Sequence, residues 1–105
     1  MPTPIKIWLD DVRPAPSEEW THCHWPNEVI ELLKLGDVEV VSLDHDLGDD
    51  ERGTGYDVVL WIEEEAFENK FFRVPEIRVH SANSPASDKM RLGIRSIHRR
   101  VASRD

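Results

Sequence analysis

Four aspartates and two histidines stand where three apolar segments stop. Asp10-Asp11 follows Ile5-Lys6-Ile7-Trp8-Leu9, Asp44-His45-Asp46 follows Val38-Glu39-Val40-Val41-Ser42-Leu43, and His80 follows Ile77-Arg78-Val79. Carboxylates gathered within a few ångströms repel one another, a cost that a hard dication such as Mg²⁺ removes because it takes oxygen ligands and keeps waters for a substrate phosphate. Asp10, Asp11, Asp44 and Asp46 are therefore the candidate ligands of Mg²⁺ or another divalent cation. Two imidazoles beside them, His45 and His80, can supply the base and the acid that phosphodiester cleavage needs near neutral pH. Arg13 could clamp a phosphoryl group bidentately, and Ser81 and Asn83 could hydrogen-bond its oxygens. Simpler roles stand beside these: an ion pair to Asp10 or Asp11 for Arg13, and a turn cap for Ser81.

The elements that must deliver these groups are legible as alternating strands and helices. Short valine-rich runs with few polar breaks suit strands of a parallel sheet covered on both faces. Strands are expected at about 5–9, at an edge within 21–25, at 38–43 and at 75–79. Val29, Ile30, Leu32 and Leu33 mark a helix from Asn27 that Gly36 can stop. Val58, Val59, Ile62 and Ala66 mark a second helix to about Asn69, with Thr54 and Asp57 spaced as a capping pair. Ser84-Pro85 opens a third, about 84–102, with Met90, Ile94, Ile97 and Val101 at helical spacing and Gly93 weakening it slightly. Such a chain is an α/β fold in which ligands bind at the carboxyl ends of the strands. Its crossovers should be right-handed.

Length, composition and charge bound the rest. The 105 residues allow one domain, 1–105, and the charged and apolar fractions are those of a soluble protein. No apolar run approaches a membrane span, the N-terminus does not read as a signal peptide, and the lone Cys23 cannot form an internal disulfide, so a cytoplasmic location without membrane partners is expected. A net charge of −8 argues against strong binding of duplex nucleic acid. The charge is uneven: residues 1–88 hold 20 acidic and 7 basic side chains, whereas Lys89, Arg91, Arg95, Arg99, Arg100 and Arg104 face one acid in 89–105. That segment reads either as a helix face pairing with Glu63-Glu64-Glu65 and Glu68, or as a surface for an anion or RNA. Gly53-Thr54-Gly55 reads as a flexible loop more readily than as an anion cradle, and His22-Cys23-His24 as ordinary strand residues, since on a strand the histidines share a face and Cys23 points away. Trp8, Trp20, Trp25 and Trp61 read mostly as core, although one could stack on a base.

Asp10-Asp11, Asp44, Gly55-Tyr56-Asp57 and Ser81-Ala82 resemble the signature of response-regulator receiver domains. That likeness implies a receiver-like (flavodoxin-like) three-layer sandwich, here truncated to a roughly four-stranded parallel sheet of order 2-1-3-4. It also implies that Asp10 and Asp11 hold Mg²⁺, that Asp44 accepts phosphate and that Ser81 contacts it. The chain departs from receivers in lacking a fifth strand and its lysine, and in carrying His45 and His80. The combination Leu9-Asp10-Asp11-Val12-Arg13-Pro14, Ser42-Leu43-Asp44-His45-Asp46-Leu47-Gly48, Thr54-Gly55-Tyr56-Asp57 and His80-Ser81-Ala82-Asn83 is more similar to the cyclic-phosphate processing receiver-like family. This resemblance implies a metal-assisted phosphoesterase that opens a cyclic phosphate on a nucleotide or RNA end, in RNA repair or nucleotide processing. In that reading His45, His80 and Asp44 are catalytic. The alternative is a non-catalytic module that signals through, or senses phosphate at, Asp44.

Overall fold

The computed structural model describes residues 4–103. Arg104 of the basic segment, and the ends of the expected domain, lie outside them. In chain order the elements are β1 (Ile5–Leu9), β2 (Trp20–Cys23), α1 (Pro26–Leu35), β3 (Val38–Leu43), α2 (Gly55–Glu68), β4 (Glu76–Val79) and α3 (Ser84–Ala102). The four strands form one parallel sheet of order β2-β1-β3-β4, a receiver-like α/β arrangement. No helix among the described residues is long and apolar enough to cross a membrane.

Alternation along the strands sorts the sheet into two unlike faces. Ile7, Leu9, Val41 and Leu43 point to one and are fully buried, in a single core with Val29, Leu33, Val58, Val59, Ile62, Met90 and Ile97 from the helices. All three helices sit here, α1 against α2 and α2 against α3. Both helical crossovers, β2 to β3 and β3 to β4, travel the same way across the sheet, so a common hand puts them on one face.

The expected helical cover on the second face is absent among the described residues. Residues 10–19, between β1 and β2, form bends and turns in place of a helix, and α3 is the last element among the described residues. The second face carries Lys6, Trp8, Trp20, Ser42, Glu76 and Arg78 instead. Trp8 and Trp20 meet edge to face at 5.9 Å, and Arg78 pairs with Glu76. An aromatic and charged surface of this kind tolerates water where an aliphatic one would not.

Local chemistry accounts for the element ends. Pro26 opens α1 at the position where its missing N–H costs nothing, and Glu28 reaches back to the amides of His24 and Trp25, both at 2.9 Å. The edge strand therefore ends at Cys23, and His24 and Trp25 belong to the helix entry. Thr54 accepts from the Tyr56 amide at 3.2 Å while Asp57 accepts from that of Thr54 at 2.8 Å, the reciprocal cap expected at α2. Gly93 has a packing reason to be in α3: a Cβ there would lie 2.7 Å from Val59 Cγ1. Val101, expected on the buried stripe, is exposed because α3 continues past the layer it packs on.

Candidate metal and phosphate site

The site follows from the register. Leu9 pairs with Leu43 and Leu43 with Val79, so the next residues, Asp10, Asp44 and His80, form a row across three strand ends. The ladder runs one step further to fix them: Asp44 N donates to Leu9 O and His80 N to Leu43 O, each at 3.0 Å. Leu47, buried in the core, anchors the loop that leaves Asp44, and Gly48 turns it with φ 92°, the left-handed region where a glycine carries no Cβ penalty. That turn sits beside Asp11: a Cβ on Gly48 would be 3.4 Å from Asp11 Oδ2.

Asp10, Asp11 and Asp44 each offer a carboxylate oxygen within 4.8 Å of the other two. Asp10 is fully buried and Asp44 nearly so. Their environments differ. Burial alone pushes the Asp10 carboxyl up, but the amides of Arg13 and Val12, each 2.9 Å from Oδ1, and the His80 ring outweigh it and hold the group below the usual carboxylate range. Asp44 is pushed up, first by burial and then by the charge of Asp10, against the Ser81 hydroxyl, His80 and Arg13. A cation would favour the charged form of a carboxylate that burial and a neighbour's charge raise, and three converging oxygen donors with no sulfur among them suit a hard dication. The residues present fit such an ion.

Asp46, expected as a fourth ligand, stands apart from this trio. Its Oδ1 accepts from His45 Nδ1 at 2.7 Å, and its carboxylate takes the Asn83 amide at 3.3–3.4 Å. The His45 bond comes first among the causes that lower its pKa. Because a carboxylate only accepts, Nδ1 of His45 carries the proton, and in the neutral ring Nε2 is a free acceptor. The His45 side chain is 20% exposed, so Nε2 is open to water.

His80 is held differently. Nε2 lies 3.0 Å from Asp10 Oδ2 and Nδ1 2.7 Å from Ser42 Oγ, while the Trp8 ring stacks on the imidazole at 3.8 Å with 4° between planes. Facing a carboxylate, Nε2 donates, so the neutral ring's Nδ1 accepts from the Ser42 hydroxyl. Burial lowers the His80 pKa against the pull of Asp10 and Asp44, which favours this neutral form. Both ring nitrogens are engaged in this arrangement, in which His80 holds the Asp10 carboxylate. His22 secures the same residue from the other side, its Nε2 2.8 Å from the Asp10 carbonyl.

Arg13 donates through Nη1 to the His80 carbonyl at 2.8 Å and brings Nε to 3.9 Å from Asp10, with half its side chain exposed. It stands at the rim with donors to spare for an anion. Ser81 serves two groups, accepting from the Asn83 amide at 3.1 Å and favouring the charged form of Asp44. Asn83 caps α3, its Oδ1 accepting from Ala86 N at 3.2 Å while its amide nitrogen reaches Asp46. Both ends of its amide are used, one on Asp46 and one on the helix.

Sequence reading assigned no role to Ser42, Trp8 or His22 at this site. The available signal was Ser42 itself, a hydroxyl between Val41 and Leu43 in a strand whose other polar residue is Glu39. Replacing Ser42 by alanine should free the His80 ring and loosen Asp10, weakening divalent-cation affinity by about 10–100-fold, the cost of losing a ligand's outer hydrogen-bond partner, which here is His80 once its own support is gone. Calorimetric titration with Mn²⁺ reads this directly.

No curated protein and no solved structure gives a significant match. The strand order β2-β1-β3-β4 accords with a match to a family of receiver domains. Residues 5–96, most of the chain, match the cyclic-phosphate processing receiver domain, and the chain belongs to that family.

Proposed function

We propose that this protein is a divalent-cation-dependent phosphoesterase that opens a cyclic phosphate on a nucleotide or an RNA end. The observation that carries the proposal is the carboxylate trio of Asp10, Asp11 and Asp44, raised at Asp44 by burial and by the charge of Asp10, followed in the chain by His45, whose Nδ1 is held by Asp46. Membership of a cyclic-phosphate processing family supports the substrate class. Asp10, Asp11 and Asp44 would hold the ion, Mg²⁺ or a similar cation, which when bound supplies a Lewis acid toward the phosphoryl oxygens.

The chain's own groups do the rest. Arg13 offers guanidinium N–H donors to the phosphate, and the Ser81 hydroxyl orients it. His45 Nε2 takes a proton from water as the water oxygen bonds to phosphorus. The ring P–O bond breaks, its oxygen leaves as an alkoxide, and solvent returns a proton to it. The product is one molecule that carries a phosphomonoester and the freed hydroxyl. Asp46 keeps Nδ1 of His45 protonated and so keeps Nε2 a base, the part that orienting carboxylates play for catalytic histidines.

His45→Gln should lower kcat by about 10²–10⁴-fold while leaving Mn²⁺ affinity within about twofold, because His45 touches the proton and not the ion. Steady-state kinetics and calorimetry on the same variant test this split. The proposal as a whole is tested by incubating the protein with Mg²⁺ and a panel of cyclic-phosphate nucleotides while following ³¹P resonances. Ring opening that stops with chelator is expected. If every ring stays closed while a small phosphodonor labels Asp44, the chain is a signalling module.

A further inference from the structure

We infer that the arginine stripe Arg91–Arg95–Arg99 on α3 binds the phosphodiester backbone of the RNA strand whose end enters the carboxylate site. The inference rests on the function proposed above and narrows its substrate from any cyclic nucleotide to a chain end. A cyclic phosphate bridging neighbouring hydroxyls at the end of a nucleic-acid strand needs the 2′-hydroxyl, so such a strand is RNA.

Spacing sets the stripe. Residues four apart on a helix lie about 6 Å apart along its axis on nearly one side, so the three guanidinium groups span about 12 Å. All three residues are exposed. The other basic side chains of α3 are otherwise engaged: Lys89 lies over the Tyr56 ring at 4.4 Å and Arg100 over Phe67 at 3.9 Å, both against α2. Arg91 has a long contact to Asp88 at 3.8 Å, but Arg95 and Arg99 have no acidic partner among the described residues. The expected pairing with Glu63, Glu64, Glu65 and Glu68 does not form among those residues either.

Position ties the stripe to the site. Asn83, the cap of α3, bonds Asp46 beside His45, and Ser81 two residues before it faces Asp44. The helix thus begins at the rim of the site, and the arginines follow it away over two to four turns. Charge supplies the choice of partner. The 20 acidic against 7 basic side chains of residues 1–88 repel a polyanion from the rest of the surface, so the stripe is the approach left to it. Guanidinium forks match phosphate oxygens bidentately, and three of them make a short track suited to a flexible single strand.

The test compares a short RNA ending in a 2′,3′-cyclic phosphate with the cyclic mononucleotide, across a salt series, for the unmodified protein and the Arg95→Glu/Arg99→Glu variant. The oligonucleotide should have the lower KM by about tenfold or more, and its salt dependence should flatten by roughly one unit of slope for each arginine lost. The variant should open the mononucleotide at the unmodified rate. Anisotropy with an unreactive oligonucleotide ending in a 3′-phosphate reads binding without chemistry. Equal KM values for oligonucleotide and mononucleotide, an unchanged slope in the variant, or arginine-dependent binding only to anionic vesicles or acidic protein would overturn the inference. Arginine-dependent RNA binding without any ring opening would overturn the catalytic reading and leave the surface standing.

Discussion

Asp44→Asn is expected to lose measurable divalent-cation binding and to slow ring opening on the order of 10³-fold, while making the metal-free protein more stable. Both effects come from one group. Asp44 is buried beside the charge of Asp10 and its carboxyl is pushed up, so the folded chain keeps that proton to a higher pH than the unfolded chain does. A group bound more tightly by the folded state stabilises it as pH falls, and here the gain falls in the window above the ordinary carboxyl value of 3.8. Asp10, held low by its hydrogen bonds, acts the other way and only below that value. His80, whose pKa burial lowers, costs stability over the same range as pH falls below 6.5, so the comparison between variants isolates Asp44: in the chelated protein Asp44→Asn should have the higher Tm at pH 7, and its advantage over the unmodified chain should shrink as the pH is lowered toward about 4. The loss of catalysis has a different source: a principal electrostatic contact to the reacting centre typically supplies about 10²–10³-fold or more. Loss of a ligand should exceed the about 10–100-fold loss in cation affinity expected for Ser42→Ala, which only releases the ligand's support. A variant that bound Mn²⁺ like the unmodified chain would remove Asp44 from the ion's coordination.

Gly55→Ala is expected to be the most destabilising single methyl in the chain. Helix propensity alone would favour the change by about 1 kcal/mol, since Gly55 is the first residue of α2 and its φ is not in the left-handed region. Sterics decide otherwise. A Cβ at Gly55 would fall 2.1 Å from the Asp44 carbonyl oxygen and 3.0 Å from Met90 Cε, and the first of these is backbone that carries a site residue. Methionine can move aside; the strand end cannot without shifting Asp44. Overpacking costs about 1–3 kcal/mol where side chains can give, and a backbone clash belongs at or above the top of that range. We expect a fall in Tm on the order of 10 °C, with activity reduced even below the melting range. Glycine here sets how closely α2 approaches the Asp44-His45 turn.

Much of this was visible in the chain before any coordinates, for identifiable reasons. Strands whose apolar runs stop in Asp-Asp, Asp-His-Asp and His-Ser declare both the sheet and the rim where ligands bind, because alternation and strand ends are local properties. The α2 cap was readable from Thr54 and Asp57 because capping is a matter of three residues' spacing. The empty second face was not, since it depends on what the chain fails to place there: residues 10–19 could have held a helix by length alone. Nor could sequence distinguish His80 from His45. Both stand at a strand end, yet one ring is closed between Ser42, Asp10 and Trp8 while the other keeps a nitrogen open. That difference lies in residues 38 and 70 positions away in the chain, and only the register brings them together.

Every part of the account descends from the claim that Asp10, Asp11 and Asp44 enclose a divalent cation. Diffraction from crystals soaked in Mn²⁺, recorded at a wavelength where manganese scatters anomalously, locates the ion without reference to activity. The account predicts one anomalous peak within coordination distance of oxygens from all three carboxylates, lost in crystals of Asp44→Asn. A fully soaked crystal with no peak there, or with its peak at Asp46 or the acidic face of α2, would contradict it.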